Sequence, residues 1–231
     1  MSLSTLKVNF NLDSVICNSE SEGGRSQPYL WTVFFSVDGP NITIDSTNHL
    51  VGIPFFQDQT GDQGNLDVDH VTADNEIPVP PAVGKLLIPR IMEPLKHDQN
   101  SSTFAGFIGC IATLLDQDSS LGRDIQEVHE VYNNVVREEF INLFPKLHPP
   151  NFQPSPNQIN DTAKKITKKV DMALKERRRP DRDSDDRIGT TMFTFSQTQL
   201  AATPVISFKS RISQGEDDWE VSGKVSAQVL A

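Results

Sequence analysis

The spacing of apolar residues changes twice along this 231-residue chain, and that change limits the fold more than any other feature. Over roughly the first half, apolar side chains recur at every second position: Leu6, Val8, Phe10 and Leu12 alternate with Lys7, Asn9 and Asn11. That is the pattern of a half-buried strand. From about 122 to 144 and again from 157 to 179 the spacing becomes three and four, and beyond Pro180 the two-residue period returns. Neither period suits the other structure, so the order predicts a mostly β protein, an antiparallel β-sandwich of about 7–8 strands with an inserted α-helical hairpin. Residues 1–231 are read as a single β-sandwich domain, long enough to bury a real core, with 120–186 as an insertion within it.

The strands differ in what they predict. Tyr29, Trp31, Val33, Phe35 and Val37 share one face, and Leu30 and Phe34 make the other apolar too. Such a strand belongs in the centre of a sheet. Asp38-Gly39 and the β-like run Asn41–Asp45 then suggest a hairpin. Residues 57–84, rich in Gly, Asp, Asn and Pro, read as a long surface loop, and Lys85–Met92 as an edge strand because Pro89 lacks a ladder donor. Phe104–Leu115 follows, with Gly106 and Gly109 marking a bulge or a close backbone approach. Ile188–Ser196, Pro204–Ile212 and Trp219–Val229 close the chain, and there is no internal repeat.

In the first helix Ile125, Val128, Val131, Tyr132, Val135, Val136, Phe140 and Leu143 form a broad stripe opposite Glu127, Glu130, Asn134, Arg137 and Glu138. Pro145, Pro149 and Pro150 stop it. The second helix has a thinner stripe of Ile159, Ala163, Ile166, Val170 and Leu174 and ends at Pro180. So narrow a stripe adds little core, so the hairpin is expected to be an appendage whose removal leaves the sandwich folded.

Ile16-Cys-Asn-Ser-Glu20, Pro28-Tyr-Leu-Trp31 and Asp218-Trp-Glu-Val-Ser-Gly-Lys-Val225 together resemble an uncharacterised group of bacterial β-sandwich proteins. The resemblance covers both β portions and implies no activity. In that group an acidic pair precedes the Pro-Tyr-Leu; Ser26-Gln27 stands there in this chain, so any cation held by that pair would lose its ligands.

The formal net charge is −10, unevenly spread. Residues 161–187 hold ten Lys or Arg against seven acidic residues, leaving 11 basic against 24 acidic elsewhere. Most of the surface should repel nucleic acid and anionic membrane, while one helix end could attract either. Its cations are Lys164, Lys165, Lys168, Lys169, Lys175, Arg177, Arg178 and Arg179, the candidate partner-binding residues. With no aromatic in that segment to stack on bases, nucleic acid is disfavoured. Cations in a last turn also complement the helix dipole.

Metal and catalytic signatures are thin. Calcium needs several oxygen ligands from one or two loops, and Asp58, Asp62, Asp67 and Asp69 cluster in the long loop as candidates. A second acidic run, Asp181–Asp186, fails as a helix–loop–helix calcium site: Asp186 stands where glycine is needed and Met192 where the bidentate Glu belongs. His129-Glu130 opens like a zinc-protease helix, but Asn133 replaces the second histidine, and a solvated helix face is expected. Gly24-Arg-Ser-Gln-Pro28 lacks the second glycine of a nucleophile elbow and precedes a strand. Cys17 and Cys110 lie in apolar runs and read as buried thiols. Asn41, Asn100 and Asn160 match the glycosylation pattern, which matters only on a secretory route.

The leading expectation is a non-enzymatic protein-interaction or self-assembly module, its basic hairpin meeting an acidic sandwich on a partner or another copy. One alternative is calcium-assisted binding to anionic membrane surfaces. Another is an enzyme of unrecognised type using the 49–76 loop, where His49 and His70 lie near carboxylates. With no basic-then-apolar leader and no membrane-spanning stretch, a cytoplasmic location is the default expectation, and leaderless export stays open.

Overall fold

A computed structural model describes residues 3–20, 26–117, 122–177 and 186–230. Residues 21–25 of the first polar loop, Arg178 and Arg179, and Asp181, Asp183 and Asp185 of the second acidic run lie outside the described residues. Thirteen strands are described: β1 Leu6–Ser19, β2 Pro28–Val37, β3 Ile42–Ile44, β4 Leu50–Gly52, β5 Phe55–Asp58, β6 Glu76–Pro78, β7 Arg90–Met92, β8 Leu95–His97, β9 Thr103–Phe104, β10 Phe107–Asp116, β11 Asp186–Ser196, β12 Val205–Gln214 and β13 Asp217–Val229. The helices are α1 Pro81–Gly84, α2 Gly122–Ile141, α3 Pro156–Arg177 and α4 Gln197–Ala202, with a 3-10 turn at Phe144–Lys146. The fold is mostly β with a helical insertion, as the periods predict. The strand count exceeds the expected seven or eight because short strands form between 42 and 104, where Pro and Gly interrupt the alternation.

The first sheet runs β12-β13-β1, with β6 and β7 both on the free side of the long β1. The second runs β11-β10-β2-β5, and a small third sheet runs β4-β3-β8-β9. Pairing is antiparallel except between β3 and β8. β2 is indeed central, buried at every position and flanked by β10 and β5. The Asp38-Gly39 hairpin does not form: β3 leaves for the third sheet, since Asp38 turns inward to an ion pair instead of closing a two-strand turn. Gly109 fits the expected close approach, because a Cβ there would overlap the Phe193 carbonyl and the Phe35 ring. At the far side Ser196 caps α4, its hydroxyl accepting from the Gln199 N–H at 3.1 Å, and so turns β11 into β12.

Two cores lie on opposite faces of the second sheet. The inner one joins Leu6, Val8, Phe10 and Leu12 of β1 and Trp219, Val221 and Val225 of β13 to Leu30, Phe34, Ile108 and Cys110. The outer one sets Tyr29, Trp31, Val33 and Phe35 of β2 and Phe107, Ile111 and Leu115 of β10 against Ile125, Val128, Tyr132, Val136 and Phe140 of α2 and Ile166, Val170 and Leu174 of α3. Phe140 packs 4.3 Å from Phe35, centroid to centroid. The molecule is thus sheet, sheet and helix in three layers, and the hairpin covers an apolar face of the second sheet, more core than its thin second stripe suggests. Its thin second stripe is enough because α2 supplies most of the cover. Each of the sheet's side chains gains about 1.5–3 kcal/mol from being covered.

The expected surface loop over 57–84 is also corrected. It is polar in composition, yet Leu66, Val71, Ile77, Val79 and Val83 point into the inner core, and β6 and α1 form within it. Both cysteines are buried free thiols, and burial pushes Cys17 up to about 11. Among the described residues no helix is long and apolar enough to cross a membrane.

Candidate functional site

The four candidate calcium ligands do not converge. Asp58 ends β5, and its Oδ2 accepts from Arg137 Nη2 of α2 at 2.7 Å. Asp62, Asp67 and Asp69 are exposed, with Asp67 in the left-handed region at φ 55°. Among the described residues no three His, Cys, Asp or Glu side chains gather to hold a metal. His70 is exposed, and His49 sits in a turn where its Nδ1 lies 2.7 Å from the Thr47 hydroxyl. Ser26 and Gln27 serve a different carboxylate: the Ser26 hydroxyl and the Gln27 N–H both donate to Asp116 at 2.7 Å. Burial nevertheless holds Asp116 above its ordinary pKa.

The basic segment is divided by the helix period. Lys164, Lys168 and Lys175 are exposed. Lys165 and Lys169 turn toward α2, where Lys169 reaches Glu138 at 3.0 Å and Glu139 at 2.8 Å, and Lys165 reaches Glu139 at 3.6 Å. Glu139 has only 8% of its side chain exposed, so these lysines offset the cost of a nearly buried carboxylate. Arg187 pairs with Asp171 at 2.7 Å. Arg177 ends α3, and Arg178 and Arg179 lie outside the described residues.

His129 is not on a solvated face. With Asn133 and Arg137, four and eight residues on, it lines the side of α2 that faces β5 and the following loop. Its ring packs 5.2 Å from Trp31 and 6.0 Å from Tyr132, and a Cβ on Gly61 would overlap it. The Gly61 carbonyl accepts from Trp31 Nε1 at 3.0 Å, so indole, glycine and imidazole lock one another. Burial lowers the His129 pKa and keeps the ring neutral at pH 7. His129 Nε2, Asn133 Oδ1 and Asp58 Oδ1 are buried with no hydrogen-bond partner among the described residues. This group wedges the helix onto the sheet, and the sequence hinted at it only through the four-residue spacing.

The surface least like the rest of the molecule is a cleft that sequence reasoning missed. The sandwich has two lateral sides. One is closed where β11 meets β12: Phe193 packs 4.5 Å from Phe208, and the Thr191 hydroxyl donates to Ser210 Oγ at 2.8 Å. On the other side, β5 and β7 leave a cleft of about 460 Å³ lined by Pro40, Phe55, Gln57, Ile88, Pro89 and Ile91 together with the charged Arg90 and Glu93. Ile88 is 75% exposed and Ile53 74%, and Leu87, Val51 and Ile91 are exposed as well. Among the described residues, half of the ten exposed large apolar side chains therefore come from two short segments. Both segments run beside residues 39–41, because Gly52 backs onto the Asn41 carbonyl and the Gly39 N–H donates to the Glu93 carbonyl at 2.9 Å.

The cleft carries little charge, Arg90 and Glu93 being the charged residues of its lining. Leu50–Gln57 and Leu86–Met92 contain one charged side chain, Arg90. Its Nε and Nη2 donate to the two Asp38 oxygens at 2.9 and 2.8 Å, and its guanidinium lies 4.6 Å from the Phe55 ring centre. Asp38 is fully buried, so that pair is internal, while the Glu93 carboxylate at the cleft is 43% exposed and lies 3.7 Å from Lys96. Comparison with known proteins finds no matching family model, no similar curated protein and no matching solved structure.

Proposed function

We propose that the protein is a non-enzymatic protein-binding module that takes an uncharged, extended apolar segment of a partner between β5 and β7. The observation that carries this reading is the concentration of exposed apolar side chains at the open side of the sandwich. Isolated exposed apolar residues are ordinary, but a contiguous patch beside a cleft marks an interaction surface. Both strands flanking the cleft are sheet edges, so an extended segment can add main-chain hydrogen bonds while alternate side chains enter the cleft. In a chain of net charge −10, a mostly apolar cleft whose two charged residues are each ion-paired favours a neutral occupant over a cationic or nucleic-acid partner.

A peptide-display selection tests this directly. The wild-type protein should enrich uncharged sequences with apolar residues at alternate positions, and Ile88→Asp should lose them while keeping its fold. Amide shifts on adding a selected peptide should fall on 53–57 and 86–93. Enrichment of charged sequences, or binding that survives Ile88→Asp, would refute the assignment.

A further inference from the structure

We infer that the outer face of the α2–α3 hairpin binds the same face of a second copy, forming a four-helix contact about a two-fold axis parallel to the helices. Between the two helices runs a groove of about 320 Å³ whose apolar lining is Val128, Val131, Val135, Met172 and Ala173. Met172 is 53% exposed and Val131 37%, although both lie between helices already packed on the sheet. The groove is bordered by opposite charges. On α2 the exposed charges are Glu130 and Glu138 against Arg123; on α3 they are Lys164, Lys165, Lys168 and Lys175 against Asp161 and the groove-lining Glu176, so the two borders still differ in net sign.

The ion pairs between the helices fix their relative level. Glu138 lies beside Lys169 at 3.0 Å, and Glu139 beside Lys165 at 3.6 Å. The helices run antiparallel, so two turns back along α2 and two turns on along α3 bring Glu130 and Val131 level with Lys175 and Glu176. A rotation about an axis lying along the groove exchanges the two helices. It sets α2 of each copy over α3 of the other, with Glu130 facing Lys175, Glu138 facing Lys164 and Lys168, and Met172 meeting Val131 near the axis. The other in-plane axis, perpendicular to the helices, would stack α2 on α2 and bring carboxylates together. Charge therefore selects one of the two isologous arrangements. A uniformly acidic or basic partner would be repelled by one border of the groove.

Sedimentation velocity of the whole chain over 1–200 μM, as concentrations chosen to span roughly micromolar affinity, should show a reversible dimer. Met172→Asp should weaken it at least tenfold, and Ile88→Asp, on the far cleft, should not. The double variants Glu130→Lys/Glu138→Lys and Lys168→Glu/Lys175→Glu should each be monomeric alone and form a heterodimer when mixed, because both facing borders are then complementary again. These side chains are exposed, and an unchanged circular dichroism spectrum confirms that each variant is folded. A wild-type chain monomeric throughout, a dimer that survives Met172→Asp, or charge variants that do not pair on mixing would each overturn the inference.

Discussion

Arg90→Met should destabilise the protein by about 3–5 kcal/mol, because it strands a buried carboxylate. Asp38 is fully buried and Arg90 has 17% of its side chain exposed, so little water is at hand to replace the guanidinium. Both carboxylate oxygens accept from Arg90, at 2.8 and 2.9 Å. The guanidinium's contact with Phe55 adds about 0.5–1 kcal/mol. At about 2 °C per kcal/mol for a chain of this size, the melting temperature should fall by roughly 6–10 °C. Urea unfolding followed by circular dichroism gives the free energy. Asp38→Asn in the same chain removes the stranded charge, and the double variant should recover at least half of the loss. A cost of under about 1 kcal/mol for Arg90→Met, or no recovery in the double variant, would show that Asp38 is solvated and that the floor of the cleft is not an internal ion pair.

Two further outcomes follow from the two cores. Phe140→Ala should cost about 3–5 kcal/mol; in single-tryptophan chains Trp31 in the outer core and Trp219 in the inner core should report one common, lowered urea midpoint. An unchanged Trp219 midpoint would mean that the hairpin unfolds separately and the appendage reading was right. His129 gives a pH dependence of known sign: burial lowers its folded pKa below 6.5, so its contribution is present above that pH and is lost as pH falls through the window beneath it. Thermal melts between pH 7.5 and 5 should therefore slope less in His129→Gln than in the wild type, and equal slopes would refute the burial argument.

Regular periods were legible and tertiary choices were not. β1, β2, β10 and the last three strands follow from alternation or apolar runs, and both helices from their stripes, because those patterns report local geometry. β2 carried a further clue: a strand apolar on both faces needs two covers, and the first sheet can supply only one. The stripe on α2 is the matching cover, but pairing it with Tyr29–Val37 requires a contact across about a hundred residues that no local pattern encodes. Charge was legible only in part for the same reason. Lys165 and Lys169 look like their neighbours in sequence, yet the helix period turns them onto Glu139. The loop at 57–84 looked solvated because Asp and Gly dominate it, although five scattered apolar side chains anchor it in the core. The cleft was hidden by its ordinariness, since exposed isoleucines are indistinguishable from buried ones until the chain is folded.

Site-specific photo-crosslinking in the cells that make the protein tests the interaction surface most directly. A benzophenone side chain at Leu87, 60% exposed beside the cleft, is compared with one at Val205, 59% exposed on the closed side of the sandwich. The account predicts a discrete adduct from position 87 alone, lost with Ile88→Asp, whose cross-linked peptide maps by mass spectrometry to an uncharged, extended segment of another protein. An adduct from position 205 with none from position 87, or a cross-linked segment rich in charge, would contradict it.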